Sequence, residues 1–412
     1  MSDHSDNAVS MGTDATDVDE QTNAMAIRAL VPLLVTFILG ALCLQGFNLV
    51  FTQVGEAVRA PGQASLITAL PSIVLGIVCF IYGSLGDFVS LKKLVAFGLV
   101  TLLIGSLFGF ISNYYFSANL WTVIIARVLQ TAGEQVAGSA YLVVATKYLK
   151  NSLKVIFFGL FTAGYPLSAA IGVFAAGMLS SISWQFLFLI PAVTIVFLPL
   201  LLKNLPDGNH SGQRVDGFGF AIFGVATAFL TLFFSYLSWW MLLIAAVLFL
   251  GFAYYIRTAD HPFITPVFFR NTRWLCAISL ILVFYFVNYC ISPVFNAIAH
   301  NLYGMQTSTV SNYLVWAFVV AAVVSSVLDT LSKDESGRGV GMNDLVMNVA
   351  GSIGIAIIGS LIGSAALGGA SLFGVSGNAS SYATLLLICG AVVLLGLVVF
   401  LVFRRHIYAA NR

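Results

Sequence analysis

Long apolar runs, each about as long as a bilayer is thick, alternate with short polar stretches from residue 28 to the end of the chain. A run of about 20 apolar residues spans a bilayer as an α-helix. Such runs predict helices at 28–51, 64–84, 93–113, 119–145, 155–179, 185–203, 217–236, 238–256, 274–298, 311–331, 345–366 and 381–403. The apolar positions are continuous rather than alternating, which excludes a transmembrane β-barrel. The expected fold class is an all-α polytopic membrane protein of about 12 transmembrane helices.

Composition agrees with the pattern. Of 412 residues, 59% are hydrophobic and 8% charged, against about 25% charged in a soluble domain. So few charges cannot cover a water-facing surface, and the apolar surface must meet membrane lipid. The formal net charge of +2 gives no reason to expect nucleic acid. With the N-terminus in the cytoplasm, every Lys and Arg except Arg59 and Arg127 falls on the cytoplasmic side. An even number of spans returns the C-terminus there too. The expectation is a multi-pass plasma-membrane protein with both termini cytoplasmic.

Polar punctuation divides the chain. Residues 1–27 read as a disordered acidic cytoplasmic tail carrying Asp3, Asp6, Asp14, Asp17, Asp19 and Glu20. Residues 28–203 read as a six-helix bundle. The stretches 204–216 and 257–273 bracket a helical hairpin, so 204–256 is expected to be a linker plus an inserted hairpin. Residues 257–412 then form a shortened helical bundle, which a homo-oligomer could complete.

Catalytic chemistry finds little support. Cys43, Cys79, Cys276, Cys290 and Cys389 lie inside apolar runs and form no CxxC pair. His4, His210, His261, His300 and His406 lack metal-ligand spacing. No GxxxxGK[ST] loop is present. No enzyme activity, cofactor or metal is expected.

Four constellations stand out. Gly83, Asp87, Lys92 and Lys93 sit between the second and third helices, where an aspartate at a helix end can pair with a cation or a helix N-terminus and gate the cytoplasmic side. Arg127, Gln130, Thr131, Glu134 and Gly138 share one face of the fourth helix. Arg127 and Glu134 stand about 10 Å apart along its axis. A charge at membrane depth costs at least roughly 2.5–3.5 kcal/mol, so these residues are expected to line a wet cavity as part of a proton or substrate pathway. Gln45 and Asn48 add neutral hydrogen-bonding groups on the first helix. Pro166 and Gly172, with Gly164 and Gly177, are candidates for bending the fifth helix. Tyr285, Asn288, Tyr289, Asn296, Trp316 and Asp329 are weaker lining candidates.

These motifs, in this order, resemble the major facilitator superfamily. Gly83-Ser-Leu-Gly-Asp87 with Lys92-Lys93 looks like its loop 2–3 motif, and Arg127-Val-Leu-Gln130 with Gly133 like its helix 4 motif, RxxQGxG. The segments Gly337 to Asn343 and Ser352 to Ile357 are similar to the C-terminal signature of the fourteen-helix drug:proton antiporters, in particular the Gram-positive tetracycline and multidrug efflux pumps. The stretches around Trp184–Pro191 and Asp260–Pro266 also fit. About two helices of that group are missing near 311–331. The helix 5 pattern GPxxGG is replaced around Ile171-Gly172 and Ala175-Ala176. Gln45 occupies the region of the helix 1 acid, Ser90 replaces a loop glycine and Thr131 a helix 4 glycine.

The resemblance implies a major-facilitator-type bundle that exports amphipathic compounds in exchange for protons. One alternative is a truncated or diverged non-transporting protein of the same fold. Another, a membrane-embedded enzyme acting on lipid, would need an interfacial His, Asp or Glu cluster, which the sequence does not offer.

Overall fold

The computed structural model describes residues 19–85, 89–206, 216–260, 262–264, 266, 270, 272–320, 336–362, 375 and 377–408. Among them there is no β-strand. The helical segments are α1 (Glu20–Ala57), α2 (Leu66–Leu85), α3 (Leu91–Tyr114), α4 (Leu120–Tyr148), α5 (Asn151–Ser180), α6 (Trp184–Asn204), α7 (Gly217–Tyr236), α8 (Trp239–Thr258), α9 (Thr272–Tyr303), α10 (Thr307–Val320), α11 (Ser336–Ile362) and α12 (Asn378–Tyr408). Each predicted run coincides with one of these segments over the described residues; 321–331 of the run 311–331 and 363–366 of the run 345–366 lie outside them. Among the described residues, ten segments are long and apolar enough to cross a membrane. The others are α4, which is broken up by charged and amide residues, and α10, which is 14 residues long.

Three details differ from the sequence reading. The acidic tail ends earlier than residue 27, because α1 begins at Glu20. The Asn23 side chain accepts from the Lys150 backbone N–H at 2.9 Å, Glu20 lies 3.7 Å from Lys150, and Ala26 is fully buried. A polar helix start anchored on a neighbour carries no hydropathy signal.

The second difference is α6, which is not one regular helix. It runs as 3₁₀ turns at Trp184–Phe188 and Val193–Phe197 between α-helical pieces at Leu189–Ala192 and Leu198–Asn204. Pro191 and Pro199 remove backbone donors in this stretch, which favours tighter or broken turns.

The third concerns the inserted α7–α8 hairpin, whose α7 packs on α2 of the first group of helices as well as on α11 of the second. Phe220, Phe252 and Ile256 share a hydrophobic cluster with Ile278 and Ile281 of α9 and Leu345 of α11. The hairpin turns at Leu237 in the left-handed region, with φ of 52°, and the Leu237 N–H reaches the Phe233 carbonyl at 2.7 Å.

In the first group of helices α1, α2 and α3 pack on α4, and α5 packs on α1. In the second group α9 packs on α11 and α12. The groups meet where α2 lies along α11, α5 along α10 and α1 against α9. One large core cluster crosses this junction, joining Phe47, Phe51 and Phe188 to Tyr289, Cys290 and Ile355.

Candidate functional site

Two polar clusters sit inside this apolar body, and both involve α1. The first lies between α1 and α4. Arg127, Thr131, Glu134 and Gly138 recur at spacings of three and four, so they form one stripe of α4. Phe37, Gly40, Cys43 and Phe47 form the facing stripe of α1. The Phe47 ring centroid lies 4.8 Å from the Arg127 guanidinium carbon. Arg127 Nη1 reaches Cys43 Sγ at 3.4 Å. Gly40 opposes Glu134, and Gly138 opposes the Phe37 ring. Glycines also bring α3 against α4, since a Cβ on Gly133 would lie 2.5 Å from the Gly98 carbonyl oxygen.

Gln130 anchors this cluster. Its Oε1 accepts from Arg127 Nη1 at 3.0 Å, and its Nε2 donates to Ser106 Oγ at 2.8 Å and to the Phe188 carbonyl at 3.1 Å. The guanidinium is thereby tied through one amide to α3 and α6. Cys43 Sγ lies 3.6 Å from Gln130 Oε1 and 3.3 Å from the Leu187 carbonyl, so its single S–H can serve either. The irregularity of α6 supplies this acceptor: Pro191 has no N–H, and the Leu187 carbonyl four residues earlier is left for another donor.

Arg127 is completely buried and Glu134 is 4% exposed. The expectation that they face a wet cavity is corrected for this conformation, because Phe47 covers the guanidinium and α1 covers Glu134 at Gly40. Several buried polar atoms here have no partner: Arg127 Nε and Nη2, Thr131 Oγ1, Thr36 Oγ1 and Glu134 Oε2. Each such atom costs about 1–3 kcal/mol. The cluster therefore holds several buried polar groups that this conformation leaves unsatisfied.

The second cluster lies where the two groups of helices meet. Gln45 Nε2 donates to Tyr165 Oη at 3.2 Å, and Tyr165 Oη lies 3.3 Å from Tyr289 Oη. Tyr289 Oη donates onward to Asn348 Oδ1 at 2.9 Å. Asn48 Nδ2 donates to the Tyr289 carbonyl at 3.0 Å, and Asn296 Nδ2 to the Leu49 carbonyl at 3.1 Å. Gln53 adds a bond to Thr307 of α10, and Ser352 Oγ donates to the Ala69 carbonyl at 2.8 Å. Beside this chain is a small void lined by Leu44, Gln45, Asn48, Thr68, Ser72, Tyr289 and Ile355, with no room for a water-sized sphere. A separate apolar cavity of about 520 Å³ opens between α2 and α7, walled by Leu70, Ile73, Ile77, Phe220 and Val225. Neither cavity is lined by Arg127 or Glu134.

The loop motif is seen only in part. Gly83 lies in the last turns of α2, while Lys92, half-buried, and Lys93, exposed, lie in the first turn of α3. Asp87 and Asp329 lie outside the described residues. Pro166 falls within α5, which runs unbroken from Asn151 to Ser180. Gly172 acts differently from the expected bend: a Cβ there would lie 2.3 Å from the Leu42 carbonyl oxygen, so its role is close approach of α5 to α1.

The sequence offered Gln45 and Asn48 on the first helix beside Arg127, Gln130 and Glu134 on the fourth. The structure separates them into these two clusters. It adds Cys43, Ser106, Tyr165 and Asn348 to them. Asn348, a lone amide in an apolar run, carried a readable signal; Tyr165 did not.

A sequence profile described as Major Facilitator Superfamily matches residues 24–268. Among curated proteins, the chain is 25% identical over 236 residues to the protein named uncharacterized MFS-type transporter EfpA of Mycobacterium tuberculosis, strains CDC 1551 / Oshkosh and ATCC 25618 / H37Rv. That match takes in 54% of this chain and 43% of the relative, so the chain spans less than half of the relative's length. Among solved structures, a POT family transporter in complex with 5-aminolevulinic acid superposes with a TM-score of 0.62 at 14% identity, covering 92% of this chain and 97% of that one. The in meso structure of the POT family transporter PepTSo gives a TM-score of 0.59 at 13% identity, over 92% and 98%. At such identities the likeness is one of fold. With the profile taking in well over half its length, the chain belongs to the Major Facilitator Superfamily.

Proposed function

We propose that this protein is a proton-coupled secondary transporter that exports amphipathic small molecules across the plasma membrane, with both termini in the cytoplasm. One group of helices rocks against the other, opening the polar seam between α1, α5, α9 and α11 to each side in turn. Glu134 carries the proton, and Arg127, held by Gln130, supplies the fixed positive charge against which Glu134 loads and releases it. The lysines at the start of α3, with Asp87, gate the cytoplasmic end. Apolar walls with few charges suit amphipathic substrates.

The observation that carries this reading is the buried pair of ionisable groups on α4. Glu134 Oε2 and two Arg127 nitrogens lack partners at membrane depth, where a structural role would favour full satisfaction. The resemblance of the motifs to fourteen-helix drug:proton antiporters supports the same direction of transport.

The test is a pH gradient imposed across proteoliposomes holding the full chain, with ethidium movement as the readout. Gradient-driven movement that an uncoupler stops, and that falls about tenfold or more in Glu134→Gln, is the expected result. Coupled movement that survives in Glu134→Gln removes Glu134 from the proton path. Absence of gradient-driven movement for a panel of amphipathic probes would favour the non-transporting alternative.

A further inference from the structure

Pro293 lies inside α9, four residues after Tyr289. A proline has no N–H, so the Tyr289 carbonyl loses its partner within the helix. At membrane depth that carbonyl needs another donor. Asn48 provides it from α1, on the opposite side of the seam, at 3.0 Å. We infer that Asn48 and the Tyr289 carbonyl form a shared site: they bond each other while the two groups of helices are closed, and an uncharged polar group of the substrate when they part. This rests on the transporter reading above and names the kind of head group the seam accepts.

Three observations lead there. The bond joins the two moving bodies, so opening the seam must break it and leave an amide and a backbone carbonyl in want of partners. Asn48 is 5% exposed, yet its Oδ1 already lacks a partner. It borders the closed void with Gln45, Thr68, Ser72 and Tyr289, none of which carries a charge. A charged head group would be left uncompensated among them. A hydroxyl or primary amide offers both the donor that Tyr289 needs and the groups that match Asn48.

The test uses the full chain in lipid nanodiscs. Cys79 lies on the α2 stripe of Thr68, Ser72 and Leu75, and is buried. Its alkylation by N-ethylmaleimide, followed by peptide mass spectrometry, reports opening of the seam. Asn48→Ala removes the donor. Pro293→Ala returns an N–H to α9 and removes the need for it without making a large cavity. Each is expected to speed alkylation up to about tenfold, the worth of one hydrogen bond. The double variant should be no faster than the faster single, because both remove the same bond. Multiplying effects, or no effect of Pro293→Ala, overturn the shared bond. Decanamide, which binds only the parted seam, should speed alkylation in the wild type and not in Asn48→Ala, while decyltrimethylammonium and decanoate leave it unchanged. Equal speeding by all three, or by none, overturns the assigned head group. None of these readouts requires transport, so a failure of vesicle transport is distinguishable from a failure of the shared site.

Discussion

Gly40 of α1 lies so close to Glu134 of α4 that a Cβ built on it would stand 2.6 Å from Glu134 Cβ and 3.1 Å from Oε2. The glycine is the slot in which the buried carboxylate rests. Gly40→Ala should lower stability by about 1–3 kcal/mol through overpacking and displace Glu134. Thermal unfolding of purified protein, with gradient-driven transport alongside, reads both effects. Adding Glu134→Gly removes the contact and should recover part of the stability but none of the coupling. A Gly40→Ala protein as stable as the wild type would contradict the geometry.

Gln130 joins Arg127 to α3 and α6 through three hydrogen bonds of 2.8–3.1 Å. Gln130→Leu keeps the volume but leaves the guanidinium, Ser106 and the Phe188 carbonyl short of partners. The cost should be about 3 kcal/mol, at the level of a broken buried polar network. Chemical denaturation in detergent measures it. A loss below about 0.5 kcal/mol would mean that water replaces the amide with ease.

Gly172 and Gly251 make a matched pair. A Cβ on Gly172 meets the Leu42 carbonyl oxygen at 2.3 Å, whereas one on Gly251 meets nothing within 4 Å. Gly172→Ala should destabilise by about 1–3 kcal/mol, because a backbone must move. Gly251→Ala should stabilise α8 by about 0.5–1 kcal/mol. Melting temperatures of the two variants moving in the same direction would argue against α5 approaching α1 so closely.

Leu237 adopts φ of 52° at the tip of the α7–α8 hairpin and is 71% exposed. A bulky side chain in the left-handed region costs about 1–2 kcal/mol. Leu237→Gly should therefore raise stability by up to about 1 kcal/mol, and Leu237→Val should lower it. Thermal denaturation of the two proteins side by side decides the point.

The fold was legible because lipid imposes a simple rule: an apolar run of fixed length must be a helix. That rule is blind to helix ends held by polar contacts, which is why α1 starts before residue 28, at Glu20. It is equally blind to α6, where the run stays apolar while prolines change the turn. In the site, charge was the readable signal. Arg127 and Glu134 stand out in any apolar helix, and spacing placed them on one face. Their burial under Phe47 and Gly40 depends on which stripe of α1 faces α4, and a single helix cannot disclose its neighbour. Tyr165 and Cys43 were missed for a related reason: tyrosine and cysteine are ordinary inside membrane helices, and only a partner gives them meaning. Asn48 stands out with Gln45 as a polar pair in an apolar run, but its target is a main-chain oxygen exposed by a proline about 240 positions away in the chain.

The Leu187 and Tyr289 carbonyls have the same origin, each lying four residues before a proline and each met by a side chain of α1. An alanine scan would pass over both acceptors, because any residue at either position presents the same oxygen. Their loss would come instead from replacing the proline, or from a one-residue insertion that shifts its phase. Intolerance to changes in proline register, over and above the cost of losing the buried side chains at 187 and 289, is the pattern that such main-chain recognition leaves in a library of variants.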